Sequence, residues 1–387
     1  MTAGGAAAAD GRAPAPSDLF APGRAPRLVV KVGSALLIDR RGDIRRAWLE
    51  TLVADIAARH AAGQQVVVVS SGSIALGSRR LGLARGGRAS LEDAQAAAAC
   101  GQILLAGEWA ALLAGHGITA AQMLLTLGDF EDRRRYLNAA ATLERLLSLG
   151  AVPVLNENDS VATEEIRFGD NDRLAARAAQ AAQGSALILL SDIDGLYTAN
   201  PHTDPDARLL PLVTDIEAVR HMASAESASG MGSGGMASKI EAARIAHAAG
   251  VTVAIAAGAP LHPLETFATT GHGTVFPAPD ALRARKAWIA GRMHVVGRLR
   301  VDAGAAAALR RGGSLLAPGI TAVEGVFRRG DALDVVDADG ALLARGLVGY
   351  DAEDLRRIAG HRRDEAAAIL GHAPRGAVIH RDQLVLF

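Results

Sequence analysis

Cysteine is almost absent. Cys100 is the only one in 387 residues, so no internal disulfide can staple this chain and no cysteine cluster can hold a structural zinc. A disulfide-rich secreted domain and a zinc finger are excluded, and a reducing, cytoplasmic location fits. Net charge of either sign is absent too. The 41 Lys and Arg balance 41 Asp and Glu, and charged residues make up 21% of the chain, which excludes a strongly basic nucleic-acid coat and an acidic solvating tail. The alanine-rich stretches are broken by Gln, Glu, Arg or Gly and fall short of the ~20 mostly apolar residues of a membrane span. The first 24 residues are rich in Ala, Gly and Pro but carry Asp10 and Arg12 instead of a basic start and an apolar run; residues 1–26 read as a disordered leader, not a signal peptide. Lysine is the last scarcity: Lys31, Lys239 and Lys286 stand against 38 arginines.

Half of the chain is hydrophobic, and its length exceeds the ~100–200 residues of an ordinary domain. Short β-rich runs at Leu28–Val32, Val66–Val69, Val152–Leu155, Ala186–Leu190 and Val251–Ala256 alternate with helical patterns near 45–61, 91–113, 134–147, 171–182 and 237–248. That alternation predicts an α/β fold, a mainly parallel sheet covered by helices on both faces. Four polar clusters follow β-like runs: Lys31–Ser34, Ser70–Ser73, Asn156–Ser160 and Ser191–Gly195. They fall at the C-terminal ends of strands, where open α/β sheets bind ligands. Prolines at 260, 263, 277 and 279 then interrupt the pattern, and short apolar pieces with turns follow from about His294. The expected organisation is a body at 27–280, a linker at 281–297 and a small β-rich domain at 298–387.

Lys31 ends an apolar strand beside Gly33, where a cation can meet a ligand; the alternative is a strand lysine snorkelling to solvent, a job arginine does elsewhere in this chain. The run Ser229–Lys239 (SGMGSGGMASK) exposes backbone amides before a helix and ends on one of the three lysines, an arrangement suited to phosphate. It is not a Walker A loop, since Met236 follows Gly235, and a flexible linker is the plain alternative. Phe168–Arg173 packs Asp170, Asn171 and Asp172 at a helix start, able to bind Mg²⁺, to orient lysine ammonium groups, or merely to cap. Asp192 and Asp194 either border a nucleotide or shape a turn. Cys100, Glu108 and His116 lack partners at catalytic or metal spacing. Two separated lysines, anion-binding loops and an Asp-bearing helix start together suggest phosphoryl transfer. A carboxylate acceptor would need no general base, because glutamate's reference pKa is about 4.3.

The strings VVKVGS (29–34), VVSSGSIALG (68–77), AACGQ (98–102), AQMLLT (121–126), VPVLNENDSVATEEIRFGDND (152–172), SDIDGLYTANP (191–201), SGMGSGGMASK (229–239) and RRIAGHRRDEAAAILG (356–371) resemble the amino-acid-kinase family. Within it they are similar to the bacterial glutamate 5-kinases that carry a C-terminal PUA domain. The resemblance spans about Arg27 to Asp382 and implies a three-layer amino-acid-kinase-like sandwich followed by a PUA-like barrel. It implies ATP-dependent phosphorylation of the γ-carboxylate of L-glutamate, with Mg²⁺, as the first step of proline synthesis. By family position, Lys31 and Lys239 contact phosphates and the transferring group, and Asp172 orients them; Asp170 is a nearby polar partner. Ser71, Asp159 and Asn171 hold glutamate, while Ser191, Asp192 and Ser233, Gly234, Gly235, Met236, Ala237, Ser238 and Lys239 line the nucleotide site. No residue is assigned to a metal. The resemblance further implies proline feedback inhibition, a homo-oligomer and coupling to a glutamyl phosphate reductase. Two departures stand out: Ser191 where threonine is common, and Ser73-Ile-Ala-Leu76 where smaller residues are common. PUA modules occur in RNA-modifying proteins, but residues 302–387 hold 11 arginines, no lysine and 12 acidic side chains, which argues against RNA as a partner.

Overall fold

A computed structural model describes residues 15–161, 171–201, 203–224, 235–279, 295–374 and 376–387. The chain divides into two compact units. One is built from residues up to 126, 145–247 and 251–277, the other from 127–144, 248–250 and 278 onward.

The first unit begins with β1 (Arg27–Val32), α1 (Arg46–Ala61), β2 (Gln65–Val69), α2 (Ser73–Leu81), α3 (Leu91–Ala114) and β3 (Ala120–Leu125). After α4 (Arg133–Ser148), whose residues through 144 belong to the second unit, come β4 (Val152–Glu157), α5 (Asn171–Ala181), β5 (Ala186–Ser191), α6 (Met236–Ala248), β6 (Thr252–Ala257), α7 (Pro263–Thr270) and β7 (Thr274–Phe276). The sheet order is β3-β4-β2-β1-β5-β6-β7, parallel except for β7 against β6. The expected mainly parallel α/β sheet is what forms. Strands such as QVVVV and ALILLS are continuous apolar runs between their polar end residues Gln65 and Ser191 because helices cover both faces.

Alternation along β1 decides where Lys31 goes. Leu28, Val30 and Val32 enter the core with Leu52, Ile56 and Trp109. Val29 and Lys31 therefore face the other side, which α5 covers with a stripe of alanines. In register, Lys31 sits between Val69 of β2 and Leu189 of β5, at the point where chain connections diverge to either side, as ligand crevices do.

Helices α2 and α3 cross at two glycines. A Cβ on Gly77 would overlap the Ala97 carbonyl, and one on Gly101 the Ser73 carbonyl, so only glycine permits this approach. Neither β3 nor α2 is anticipated by sequence pattern: AAQMLL has no β-branched residue, and α2 starts from Gly72 at φ 105°. α3 spans 24 residues with a mean hydropathy of 1.4 in its most apolar window, long and apolar enough to cross a membrane despite its interruptions. In this fold, however, Ala94, Ala97, Ala98, Gly101, Leu105, Trp109 and Leu113 of α3 are buried inside the unit.

The leader expected through residue 26 extends too far. Pro16–Phe20 forms a 3-10 turn, and Phe20 is 1% exposed, edge-on to Phe267 at 5.4 Å.

The second unit contains β8 (Val295–Val301), α8 (Ala303–Arg310), β9 (Ile320–Gly325), β10 (Ala332–Val336), β11 (Leu342–Leu347), α9 (Ala352–Ile358), α10 (Arg363–Leu370) and β12 (Leu384–Leu386). Its sheet order is β12-β11-β10-β8-β9. Its core includes Leu299, Leu333, Val335, Leu355, Ile358 and Ile379. One segment crosses the expected boundary at 280: residues 127–144 belong with this unit. Leu137 buries against Ala332 and Leu347, and Arg329 donates to Asn138 Oδ1 at 2.6 Å.

Candidate active site

The first half of the site is a buried triad. Asp172, in the first turn of α5, is 1% exposed, with Lys31 at 7% and Lys239 at 3%. Lys31 Nζ lies 2.6 Å from Asp172 Oδ1, and Lys239 Nζ lies 3.3 Å from Oδ2, where Ser238 Oγ also donates at 3.3 Å. Burial alone would push the Asp172 carboxyl up, but the two ammonium groups hold it below the ordinary carboxylate value. Burial, with Lys31 beside it, pushes the Lys239 ammonium down from the usual lysine value, against the pull of Asp172 and Asp192. Two cations sharing one carboxylate leave a net charge of about +1 in a water-poor place, an unfavourable state that an anion would relieve.

Around the triad lie nucleotide-side candidates. Lys239 is in the first turn of α6, the helix expected near 237–248, with Ser238 N and Lys239 N bonded to the Gly235 carbonyl. Met236, Ala237 and Ser238 complete that turn, so its N-terminal amides carry the partial positive charge that suits phosphate. Ser191 ends β5, buried, and donates to Asp192 Oδ1 at 3.0 Å; Asp192 itself is exposed. Asp194 is fastened by Tyr197 Oη at 3.0 Å and His272 Nε2 at 2.7 Å, which makes it a clamp on this turn. Asp170, Ser233 and Gly234 lie outside the described residues.

The second half occupies the ends of β2 and β4. Asn171, next to Asp172, donates from Nδ2 to Ser71 Oγ at 2.6 Å, to the Ser70 carbonyl at 3.2 Å and to Asn156 Oδ1 at 3.2 Å. Trp109 of α3 donates to Ser70 Oγ at 3.0 Å and supports this turn from within the core. Asp159 is buried and receives the Ser73 hydroxyl at 3.4 Å. Burial pushes the Asp159 carboxyl up to about 6, with Ser73 and Arg88 pulling the other way. Asp159 and Ser73 line a cavity of about 250 Å³ with Gln102, Gln122 and Glu157.

The structure thus brings Lys31, Lys239 and Asp172 together, and Ser71, Asn171 and Asp159 near one another through Asn156 and Ser73. Gln102 and Trp109 are additions no local pattern points to. Ser73 lies in the Ser73-Ile-Ala-Leu76 run, which departs from the smaller residues common there.

These features define a buried centre of two lysines sharing one carboxylate beside a polar pocket, at the strand ends of an α/β sheet, and comparison with known proteins gives its class. Residues 26–257 match the amino acid kinase family and residues 297–370 match the PUA domain; the chain belongs to the amino acid kinase family. The glutamate 5-kinase of Sphingopyxis alaskensis is 62% identical over 369 residues, covering 95% of this chain and 99% of that one. That of Novosphingobium aromaticivorans is 60% identical, covering 93% and 96%, and that of Zymomonas mobilis 57%, covering 95% and 93%. Within the family, the chain falls among the glutamate 5-kinases.

Proposed function

We propose that this chain transfers the γ-phosphoryl group of ATP to the γ-carboxylate of L-glutamate, giving L-glutamyl 5-phosphate and ADP, the first step of proline biosynthesis. The observation that carries the reading is the adjacency of two sites on one helical turn: Asp172 ties the two buried lysines, and Asn171 beside it faces the Ser71 pocket. Donor and acceptor would meet above the end of β1.

The roles follow from charge. The acceptor carboxylate is already ionised at neutral pH and needs no base, so the task is to bring two anions together and stabilise the charge that shifts between them. Lys31 and Lys239 supply that charge, and Asp172 holds both ammonium groups in place. Ser191, Asp192 and the turn from Gly235 to Lys239, continuing back through Ser233 and Gly234, hold the nucleotide. Ser71, Asn171 and Asp159 hold glutamate, with Asp159 facing its ammonium group. Both oxygens of Asp172 already face ammonium groups, and Mg²⁺ accompanying ATP would supply further neutralisation of phosphate charge. Proline competes at the Ser71–Asp159–Asn171 pocket, the enzyme is a cytoplasmic homo-oligomer, and the labile acyl phosphate passes to a glutamyl phosphate reductase. In the C-terminal unit Arg300, Arg345 and Arg357 pair with Glu324, Asp334 and Asp354, which supports a structural or regulatory role over RNA binding.

The test is ATP- and Mg²⁺-dependent γ-glutamyl hydroxamate formation across a panel of acceptors: glutamate, N-acetylglutamate, aspartate and glutarate. Product with glutamate and little with the others is expected. No glutamate-dependent product would refute the assignment.

A further inference from the structure

Asn171 poses a problem of orientation. Its Nδ2 has three acceptors, yet its Oδ1 is buried with no hydrogen-bond partner among the described residues, on a residue only 7% exposed. An orphaned buried acceptor costs about 1–3 kcal/mol and is tolerated where a ligand brings the donor. The two ends of an amide are nearly isosteric, so only neighbours can decide which end meets the ligand.

Asn156 makes that decision. Its Oδ1 accepts from Asn171 Nδ2 and from the Glu157 backbone N–H at 2.9 Å. Its Nδ2 donates to Gln102 Oε1 at 2.7 Å and to Ser73 Oγ at 3.3 Å. Flipping Asn156 would set its NH₂ against two donors and its oxygen against the Gln102 oxygen. Ser73, having accepted from Asn156, spends its one proton on Asp159 Oδ2. The direction of every bond from α3 to the pocket is therefore set.

We propose that Gln102 and Ser73 are positioning residues of the acceptor site: through Asn156 they hold Asn171 with its oxygen turned to the ammonium group of an α-amino acid, and Ser73 aims the Asp159 carboxylate at the same ammonium. This rests on reading Ser71, Asn171 and Asp159 as the acceptor pocket. The Gln102 contact comes from a helix whose Gly101 backs directly onto the Ser73 carbonyl, so both anchors are delivered by the α2–α3 crossing. Specificity for a free primary ammonium would then depend on two residues that need not touch it.

Three variants test this in steady-state kinetics on the full chain. Gln102→Leu removes the acceptor that pins Asn156 and should raise the KM for glutamate roughly tenfold, with the KM for ATP within twofold of wild type. Gln102→Glu keeps an acceptor oxygen and should restore the glutamate KM to within about threefold at pH 8. Ser73→Ala removes a donor to Asp159, whose other neighbours are Arg88 and, in the same cavity, Glu157. The acid limb of kcat/KM for glutamate should move up by about half a pH unit. Wild-type protein without glutamate-dependent turnover would bring down the underlying function. Active wild type with an unchanged glutamate KM in Gln102→Leu, an equal rise in both KM values, failure of Gln102→Glu at pH 8, or an unmoved acid limb in Ser73→Ala would overturn this proposal alone.

Discussion

Asp172→Asn separates charge from shape. Asparagine fills the same volume but removes the one anion between two ammonium groups that now sit 2.6 and 3.3 Å from its oxygens. Removing one partner of a buried ion pair costs about 3–5 kcal/mol, and at about 2–4 °C per kcal/mol the melting temperature should fall by roughly 6–20 °C at pH 7. The pH dependence gives the sharper signature. Lys239 is already held below the ordinary lysine value by burial and by Lys31, with Asp172 among the groups resisting; without Asp172 it falls further. Between that lowered value and the ordinary value of 10.5, the unfolded chain binds more protons than the folded one, so stability rises with pH. The deficit of the variant should be largest at neutral pH and shrink toward pH 10. ATP, an anion binding two uncompensated cations, should raise the melting temperature of the variant more than that of wild type. Thermal melts followed by circular dichroism at pH 7 and 9.5, with and without ATP, measure all three. A melting temperature within 2 °C of wild type at pH 7, or a deficit that grows with pH, would refute the electrostatic account of the triad.

Further outcomes follow from the same geometry. Lys239→Ala should lower kcat at least a hundredfold, since it removes charge stabilisation at the transferring group, while its melting temperature stays level or rises because one buried cation is gone; an unchanged kcat in the hydroxamate assay would contradict its role. Asp159→Asn should stabilise the fold by up to ~3 kcal/mol at pH 7.5, the upper bound set by a carboxyl pushed up to about 6 from 3.8. That gain should be full above pH 6 and vanish below about pH 4, where the native carboxyl is protonated in both states. The same variant should raise the glutamate KM, and melts against pH paired with glutamate titration check both halves. Gly101→Ala should cost about 1–3 kcal/mol, because its methyl would meet the Ser73 carbonyl, and should raise the glutamate KM by displacing α2; a wild-type melting curve would refute the close-contact argument.

Much of the kinase body is legible in sequence because its central strands are continuous apolar runs, and a parallel sheet between helix layers demands that. β3 is not legible. It is half-buried beyond β4, and its residues Ala, Gln, Met and Leu carry no β-branched signature. At the site, Lys31 and Lys239 stand out through rarity, and the helical pattern over 237–248 already places Lys239 at a helix start; what the glycine-rich run before it does not announce is burial, and Lys239 is 3% exposed. The Gln102–Asn156 bond joins residues 54 apart from a helix and a strand end, and only the α2–α3 crossing brings them together. Strand order is similarly hidden, because nothing local in β1 declares that β2 and β5 will flank it.

Asn171 and Asp172 are consecutive, and one bonds to Ser71 and Asn156 while the other ties Lys31 and Lys239. On the proposed reading a single peptide unit, with about 3.8 Å between Cα atoms, is the gauge that sets the separation of the two reactants. The ends of β2 and β4 supply the Ser70, Ser71 and Asn156 contacts on the Asn171 side, and the end of β1 and the first turn of α6 supply Lys31 and Lys239 on the Asp172 side. The acceptor side can therefore be recut for a different carboxylate while the phosphoryl side is inherited intact. An insertion or deletion at the start of α5 would detune both at once.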